Sequence, residues 1–205
     1  MDTRDIHSTP QLTGDLTAAL LVEQKKLYDK YQGIEKLPEI PLHLDPPENQ
    51  VVIKDFIGRI TEELAEAEEY IRRLDYGKGD TKALMEEEIV DALHFFLELI
   101  LLVGQTPAHS LGIFKVKSRV CERKIEKCFR ELHYELNIAK NSLKNKPWKQ
   151  TQVKTSRITF YMHLKIASEW FGILLYDVLG WNSQQIYHEY MKKHTVNVFR
   201  QESSY

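Results

Sequence analysis

Two consecutive apolar patterns with helical spacing constrain the fold of this chain more than any other feature. Between Val51 and Leu74, eight apolar residues recur at three- and four-residue steps, the spacing of one helix face. A turn at Tyr76–Gly79 ends this pattern, and a second helix is predicted to run from there to about Val103. After Asp91 that helix is apolar on nearly all sides, so we expect it in the centre of an all-α protein.

The rest of the chain also favours helices over strands. Residues 12–31 predict a first helix that ends at Gly33. Residues 36–50 contain four prolines and are interpreted as an extended linker over the surface. Helical spacing resumes over residues 156–179, and a short last helix is predicted through His194. No strand-like alternation stands out.

Length and composition predict a single ordinary globular domain over residues 1–205, with 42% hydrophobic and 28% charged residues. Residues 1–11 are expected to form a flexible N-terminus. The chain has neither a signal-peptide pattern nor an apolar stretch of about 18 residues, so we expect a cytoplasmic protein with no membrane partner. Cys121 and Cys128 share a helix face but lie about 10 Å apart along its axis, too far for a disulfide.

The net charge of −2 hides a basic middle segment. Residues 111–157 hold 13 Lys and Arg against 4 Asp and Glu, whereas residues 1–110 hold 11 against 22. We interpret residues 111–155 as a basic helical insert whose charges face solvent or the acidic part of the chain. Nucleic-acid binding is not expected, because no recognisable binding motif with interleaved aromatic residues accompanies these charges.

Two pairs of carboxylates on the central helices form the candidate metal site. Glu63 and Glu66 are three residues apart, so both project from one side of their helix, and Glu88 and Asp91 repeat that spacing. Glu88 shares its side of the helix with residues that should face protein, namely Ala92, Phe95 and Leu99. Like charges buried together need cations, and oxygen-only ligands favour Mg²⁺, with Mn²⁺ as a substitute. From spacing alone, an acidic structural face stays open as an alternative.

These carboxylates resemble the ExxE…ExxD signature of the all-α nucleotide pyrophosphohydrolases, the superfamily of MazG-like enzymes. The continuation Asp91-Ala-Leu-His94-Phe95 is similar to a DxLHF run in the all-α dimeric dUTPases and the related phage dCTP/dUTP pyrophosphatases. Residues 190–205 are similar to the C-terminal Y..KN..N..RQ..GY motif of the same family. The resemblance covers roughly residues 16–104 and 156–205.

The resemblance implies a homodimeric helical bundle that hydrolyses dUTP, and dUDP as well, to dUMP. Water would be the nucleophile, attacking the β-phosphorus. Two or more Mg²⁺ ions would be held by Glu63, Glu66, Glu88 and Asp91. Glu66 is our candidate for the group that accepts a proton from the attacking water.

The substrate-contacting residues that the resemblance implies are Gln24, His94, Lys193, Asn197, Arg200 and Tyr205. Lys193 and Arg200 would hold phosphate oxygens, as a mobile point charge and a rigid two-pronged donor respectively. Asn197 would contact the nucleoside, since its amide both donates to and accepts from a pyrimidine edge. Gln24 would help to read the base, and His94 would line the pocket.

Two alternatives remain open at this point. A dCTP or broader pyrimidine nucleotide pyrophosphatase would use the same metal ligands and differ in pocket groups. Tyr28, His194 and Ser204 depart from the family pattern, which has Asn, Asn and Gly at these places. A non-enzymatic helical binding module that uses the basic insert is the second alternative.

Overall fold

The structure is a computed structural model that describes residues 10–75, 81–104, 125–146, 148 and 154–202. The regular elements are α1 (Leu16–Glu35), α2 (Pro47–Asp75), α3 (Lys82–Leu102), α4 (Ile125–Ser142), α5 (Arg157–Ile173), a π-helical segment (Leu174–Val178) and α6 (Ser183–Glu202). No strand occurs in these ranges, so the all-α prediction is confirmed. The predicted features at Tyr205, Cys121, the N-terminal part of the basic insert and the turn 76–79 lie outside the described residues.

Helices α2 and α3 form an antiparallel hairpin at the centre of the molecule. The Thr81 hydroxyl donates to the backbone oxygen of Tyr70 at 3.2 Å, and the rings of Phe56 and Phe95 lie 6.4 Å apart further along. The apolar face of α2 is fully buried over residues 53–67, and α3 is buried on several sides along its length. The sequence pattern predicted both features, because each follows from the spacing of apolar residues.

The first helix runs past the end that the sequence predicted. Asp15 caps its start by accepting from the backbone N–H of Ala18 at 3.0 Å. Gly33 lies inside the helix, which continues to Glu35 before Lys36 adopts a left-handed conformation with φ 54°. One glycine in an exposed last turn costs only about 1 kcal/mol, so it does not by itself end a helix.

The proline-rich linker is shorter than predicted, because α2 already begins at Pro47. Proline fits the first turn of a helix, where its missing N–H would have no partner. Gln50 connects the linker to residue 145 through hydrogen bonds of its side chain. Its buried side chain donates to the backbone oxygen of Leu44 at 2.8 Å and accepts from the backbone N–H of Asn145 at 2.9 Å.

The last helix is longer than the prediction that ended it at His194. Asn182 caps its start, since its side-chain oxygen accepts from the backbone N–H of Gln185 at 2.9 Å. The helix then continues to Glu202 without a break. The prediction stopped short because no apolar stripe marks this stretch, in which Val196 and Phe199 are exposed. The extra turns place Asn197 and Arg200 on the same rigid element as Lys193.

Among the described residues, no helix is both long and apolar enough to cross a membrane. Cys128 is buried on α4. Its predicted lack of a disulfide to Cys121 stays a prediction, because Cys121 lies outside the described residues.

Candidate active site

A cleft of about 260 Å³ opens between α1, α2, α3 and α6. Its lining combines acidic groups of the central hairpin with basic and amide groups of α6 and a glutamine of α1. The predicted site residues that line it are Gln24, Glu63, Asp91, His94, Lys193, Asn197 and Arg200. Four separate stretches of the chain, at positions 24, 63, 91–94 and 193–200, are thus brought to one cleft.

Three carboxylates converge beside this cleft. Each of Glu63, Glu88 and Asp91 offers an oxygen that lies within 4.8 Å of the others, and all three residues are half-buried. Burial, followed by the negative charges of Asp91, Glu66 and Glu88, raises the pKa of Glu63 from 4.5 to about 7. Burial also raises the pKa values of Glu88 and Asp91. The negative charge of the cluster is therefore not fully neutralised by its surroundings.

Glu66, the fourth predicted ligand, lies beside this group but outside it. Its side chain is exposed, and its oxygens are not among those that converge within 4.8 Å. Its charge nevertheless raises the pKa of Glu63 and of Glu88, so it contributes to the same negative field. Its roles as a metal ligand and proton acceptor stay predictions.

Lys193 reaches from α6 to two acidic groups of α3. Its ammonium lies 2.6 Å from Asp91 Oδ2 and 2.9 Å from Glu87 Oε1. Burial alone would lower the pKa of Lys193, but the hydrogen bonds to Asp91 and Glu87 outweigh burial and raise it. The lysine is therefore charged and partly neutralises the acidic cluster.

Gln24 and His94 belong to a buried hydrogen-bond network at the other end of the cleft. The Gln24 side-chain oxygen accepts from the Tyr190 hydroxyl at 2.8 Å and lies 3.1 Å from His94 Nδ1. The His94 ring also stacks on Tyr190, with centroids 4.1 Å apart, and its Nε2 lies 3.3 Å from the backbone oxygen of Tyr190. Burial lowers the pKa of His94 to about 3, so the imidazole is neutral and its single N–H donates to one of these two oxygens.

The cleft also contains residues that sequence reasoning missed. Arg59 donates to Asp55 at 3.0 Å, and its guanidinium lies 4.9 Å from the Phe56 ring centroid and 5.6 Å from that of Phe95. Glu98 accepts from the Gln24 amide at 3.4 Å. A spacing signal was available for both, because Arg59 precedes Glu63, and Glu98 follows His94, by four residues on one helix face.

The donor set fits a hard divalent cation. It consists of carboxylate oxygens from two helices. The pKa values of these carboxylates are raised, and a nearby positive charge would lower them by stabilising the ionised form. Glu63, Glu88 and Asp91 are the described residues placed to share such an ion.

A comparison with protein-family models matches residues 47–205 to a family described as dUTPase. The match contains α2 to α6 and therefore all of the predicted metal ligands, whereas Gln24 on α1 precedes it. It also spans residues 111–155, which the motif resemblance left outside. Searches among curated proteins and among solved structures found no significant match.

Proposed function

This chain belongs to the dUTPase family, whose activity is the hydrolysis of dUTP, and we propose that its cleft converts dUTP and water to dUMP and pyrophosphate in a Mg²⁺-dependent reaction. The same site would convert dUDP to dUMP and phosphate. The observation that carries the proposal is the convergence of Glu63, Glu88 and Asp91 opposite the cationic side chains of α6. Family membership favours this enzyme over a helical binding module.

The chain's own groups divide into a phosphate end and a nucleoside end. Glu63, Glu88 and Asp91 would hold the Mg²⁺ ions, with Glu66 completing the set. Bound Mg²⁺ neutralises phosphate charge and makes water easier to deprotonate. Lys193 and Arg200 would bind phosphate oxygens and stabilise the charge that develops as the leaving group departs.

Glu66 is proposed to take the proton from the attacking water. It is exposed to solvent and stands three residues from Glu63 on the same helix, so it can pass the proton on to bulk water. Attack at the β-phosphorus, as the family resemblance implies, would break the bond between the α–β bridging oxygen and the β-phosphorus. Pyrophosphate would leave with the oxygen of water, and dUMP would keep the bridging oxygen.

Base recognition is proposed for Gln24, Glu98 and Asn197. The Gln24 amide is already held by Glu98 and Tyr190, so its orientation is fixed before a nucleotide enters. The Glu98 carboxylate can accept from N3–H of uracil or from the 4-amino group of cytosine. This second possibility keeps dCTP open as an alternative substrate.

Release of pyrophosphate from dUTP, dCTP, dTTP and UTP, and of phosphate from dUDP, tests the proposal. Each assay is run with Mg²⁺, with Mn²⁺ and with a chelator. We expect metal-dependent turnover of dUTP to exceed that of the other triphosphates, and loss of turnover in Glu63→Gln and Glu88→Gln with helicity retained by circular dichroism. Glu62→Gln, an exposed neighbour outside the cleft, is the matched control. Full turnover in both ligand variants would contradict the metal site.

We also propose that the enzyme is a homodimer, as the resemblance implies. Val196 and Phe199 are 41% and 68% exposed on the helix that carries the phosphate-binding residues, and a partner could cover them. Light scattering after gel filtration tests this. A mass of one chain at assay concentration would contradict it.

A further inference from the structure

Lys193 stands between two carboxylates of α3 that differ in their surroundings. Asp91 belongs to the converging group and lines the cleft, and its side chain is 18% exposed. Glu87, one helical turn earlier, lies outside that group and is 54% exposed. The Lys193 side chain is only 13% exposed, and its ammonium is held by both carboxylates.

The space on the two sides of Lys193 is also different. Asp91 lines the cleft of about 260 Å³, whereas Glu87 lines a second cavity of about 350 Å³ together with Leu84 and Trp181. Lys193 contributes to the walls of both cavities. The Lys193 ammonium already contacts both carboxylates, so a small movement of its flexible four-carbon stem shifts it toward one or the other.

A cation bound by the converging carboxylates would disturb the pair between Lys193 and Asp91. Mg²⁺ on this group adds two positive charges next to an ammonium that already lies 2.6 Å from Asp91 Oδ2. The repulsion weakens the hold of Asp91 on Lys193. Glu87 is outside the ligand group, so its attraction for the ammonium remains.

We propose that Glu87 is a positioning residue that receives the Lys193 ammonium when Mg²⁺ displaces it from Asp91, and keeps it beside the cleft for the substrate phosphate. Glu87 contacts neither the metal nor the substrate and acts through Lys193. The neighbouring Lys192 forms its ion pair with Glu189, at 3.6 Å, and not with Glu87. The inference rests on the proposed function, since it assumes a metal at the converging carboxylates.

A double-mutant cycle on metal binding tests the proposal. Mg²⁺ affinity of the full chain is measured by calorimetry without nucleotide for wild type, Glu87→Gln, Lys193→Met and the double variant. We expect Glu87→Gln to bind Mg²⁺ about 3–10-fold more weakly, because an ammonium displaced from Asp91 then lacks the Glu87 carboxylate. Lys193→Met should bind Mg²⁺ more tightly, because it removes the competing ammonium. In the Lys193→Met background, Glu87→Gln should change affinity less than about twofold.

Glu86→Gln is the matched control, because this adjacent carboxylate pairs with Lys82 at 3.6 Å instead. It should leave Mg²⁺ affinity within about twofold of wild type. If Glu87→Gln lowers Mg²⁺ affinity equally with and without Lys193, the loss of one negative charge explains the effect and the proposal is overturned. The same holds if Glu86→Gln lowers Mg²⁺ affinity as much as Glu87→Gln does. Lys193→Gln replaces Lys193→Met if circular dichroism shows that the latter is unfolded.

Enzyme kinetics give a second readout. Glu87→Gln should raise KM for dUTP about 3–10-fold and change kcat less, since the lysine still reaches the phosphate once the nucleotide is bound. An unchanged KM would overturn the positioning role. Absence of Mg²⁺ binding by the wild-type chain would instead count against the proposed function itself, so the two failures are distinguishable.

Discussion

The side-chain oxygen of Gln24 lies 3.1 Å from Nδ1 of His94, across the interface between α1 and α3. Both side chains are buried, at 1% and 4% exposure. Gln24 therefore has two functions in this fold: it satisfies polar groups in the core, and it presents an oriented amide to the cleft. A substitution there should affect stability as well as substrate binding.

Gln24→Leu should lower the free energy of unfolding by about 1–3 kcal/mol, because it leaves the Tyr190 hydroxyl and a His94 ring nitrogen without their buried partner. Urea unfolding measures the loss. Gln32→Leu on the same helix is the control, since Gln32 is only half-buried and makes one long contact of 3.5 Å to Pro38, and it should cost less than about 0.5 kcal/mol. Equal losses in both variants would argue against the network.

Sequence reasoning located the converging carboxylates Glu63, Glu88 and Asp91 better than their surroundings. Three-residue spacing places Glu88 and Asp91 on one side of α3, and the antiparallel packing of α2 against α3 brings that side next to Glu63. No such rule fixes how α1 and α6 pack against the hairpin. The burial of Gln24 and the link from Lys193 to Glu87 therefore could not be predicted, because each depends on distances between helices far apart in sequence.

The predicted helix ends were misplaced for a different reason. Gly33 was predicted to end α1 but lies within it, and Pro47 was assigned to the linker but begins α2. Apolar periodicity identifies the core-facing side of a helix, but it is weak where the helix is exposed, as in α6 beyond His194.

Glu63→Gln should stabilise the metal-free protein at pH 8. The pKa of Glu63 is about 7 in the folded chain and 4.5 ordinarily, so the folded state retains this proton over a range where the unfolded chain has lost it. The stability that this proton supplies is complete below pH 4.5 and is lost as the pH rises through 7. Above pH 7 the wild type carries an unfavourable half-buried charge, which glutamine lacks.

Thermal unfolding with a chelator at pH 5 and pH 8 checks this. The midpoint of Glu63→Gln should exceed that of wild type at pH 8, and the difference should shrink at pH 5. Saturating Mg²⁺ should reverse the order at pH 8, because only the wild type keeps the full ligand set. Glu62→Gln should follow the wild type in all conditions. A Glu63→Gln midpoint below wild type at pH 8 without metal would contradict the raised pKa.

Glu66→Gln tests the roles predicted for the carboxylate outside the converging group. Loss of a proton acceptor should lower kcat by about 100-fold or more, and loss of a ligand should raise the Mg²⁺ concentration needed for half-maximal rate. Steady-state rates over a Mg²⁺ titration measure both, with Glu62→Gln as the control. Activity within about threefold of wild type at all Mg²⁺ concentrations would contradict both roles of Glu66 and leave Glu63, Glu88 and Asp91 as the proposed metal ligands.

Glu98→Gln should weaken nucleotide binding at the nucleoside end of the cleft. An ionised carboxylate accepts a stronger hydrogen bond than an amide, so losing its charge should raise KM for the preferred nucleotide about tenfold, with a smaller change in kcat. Kinetics with dUTP and dCTP identify the donor: a rise for dUTP indicates uracil N3–H, and a rise for dCTP alone indicates the 4-amino group. Glu62→Gln should change neither KM. If Glu98→Gln also changes neither, Glu98 serves to hold Gln24 and does not contact the base.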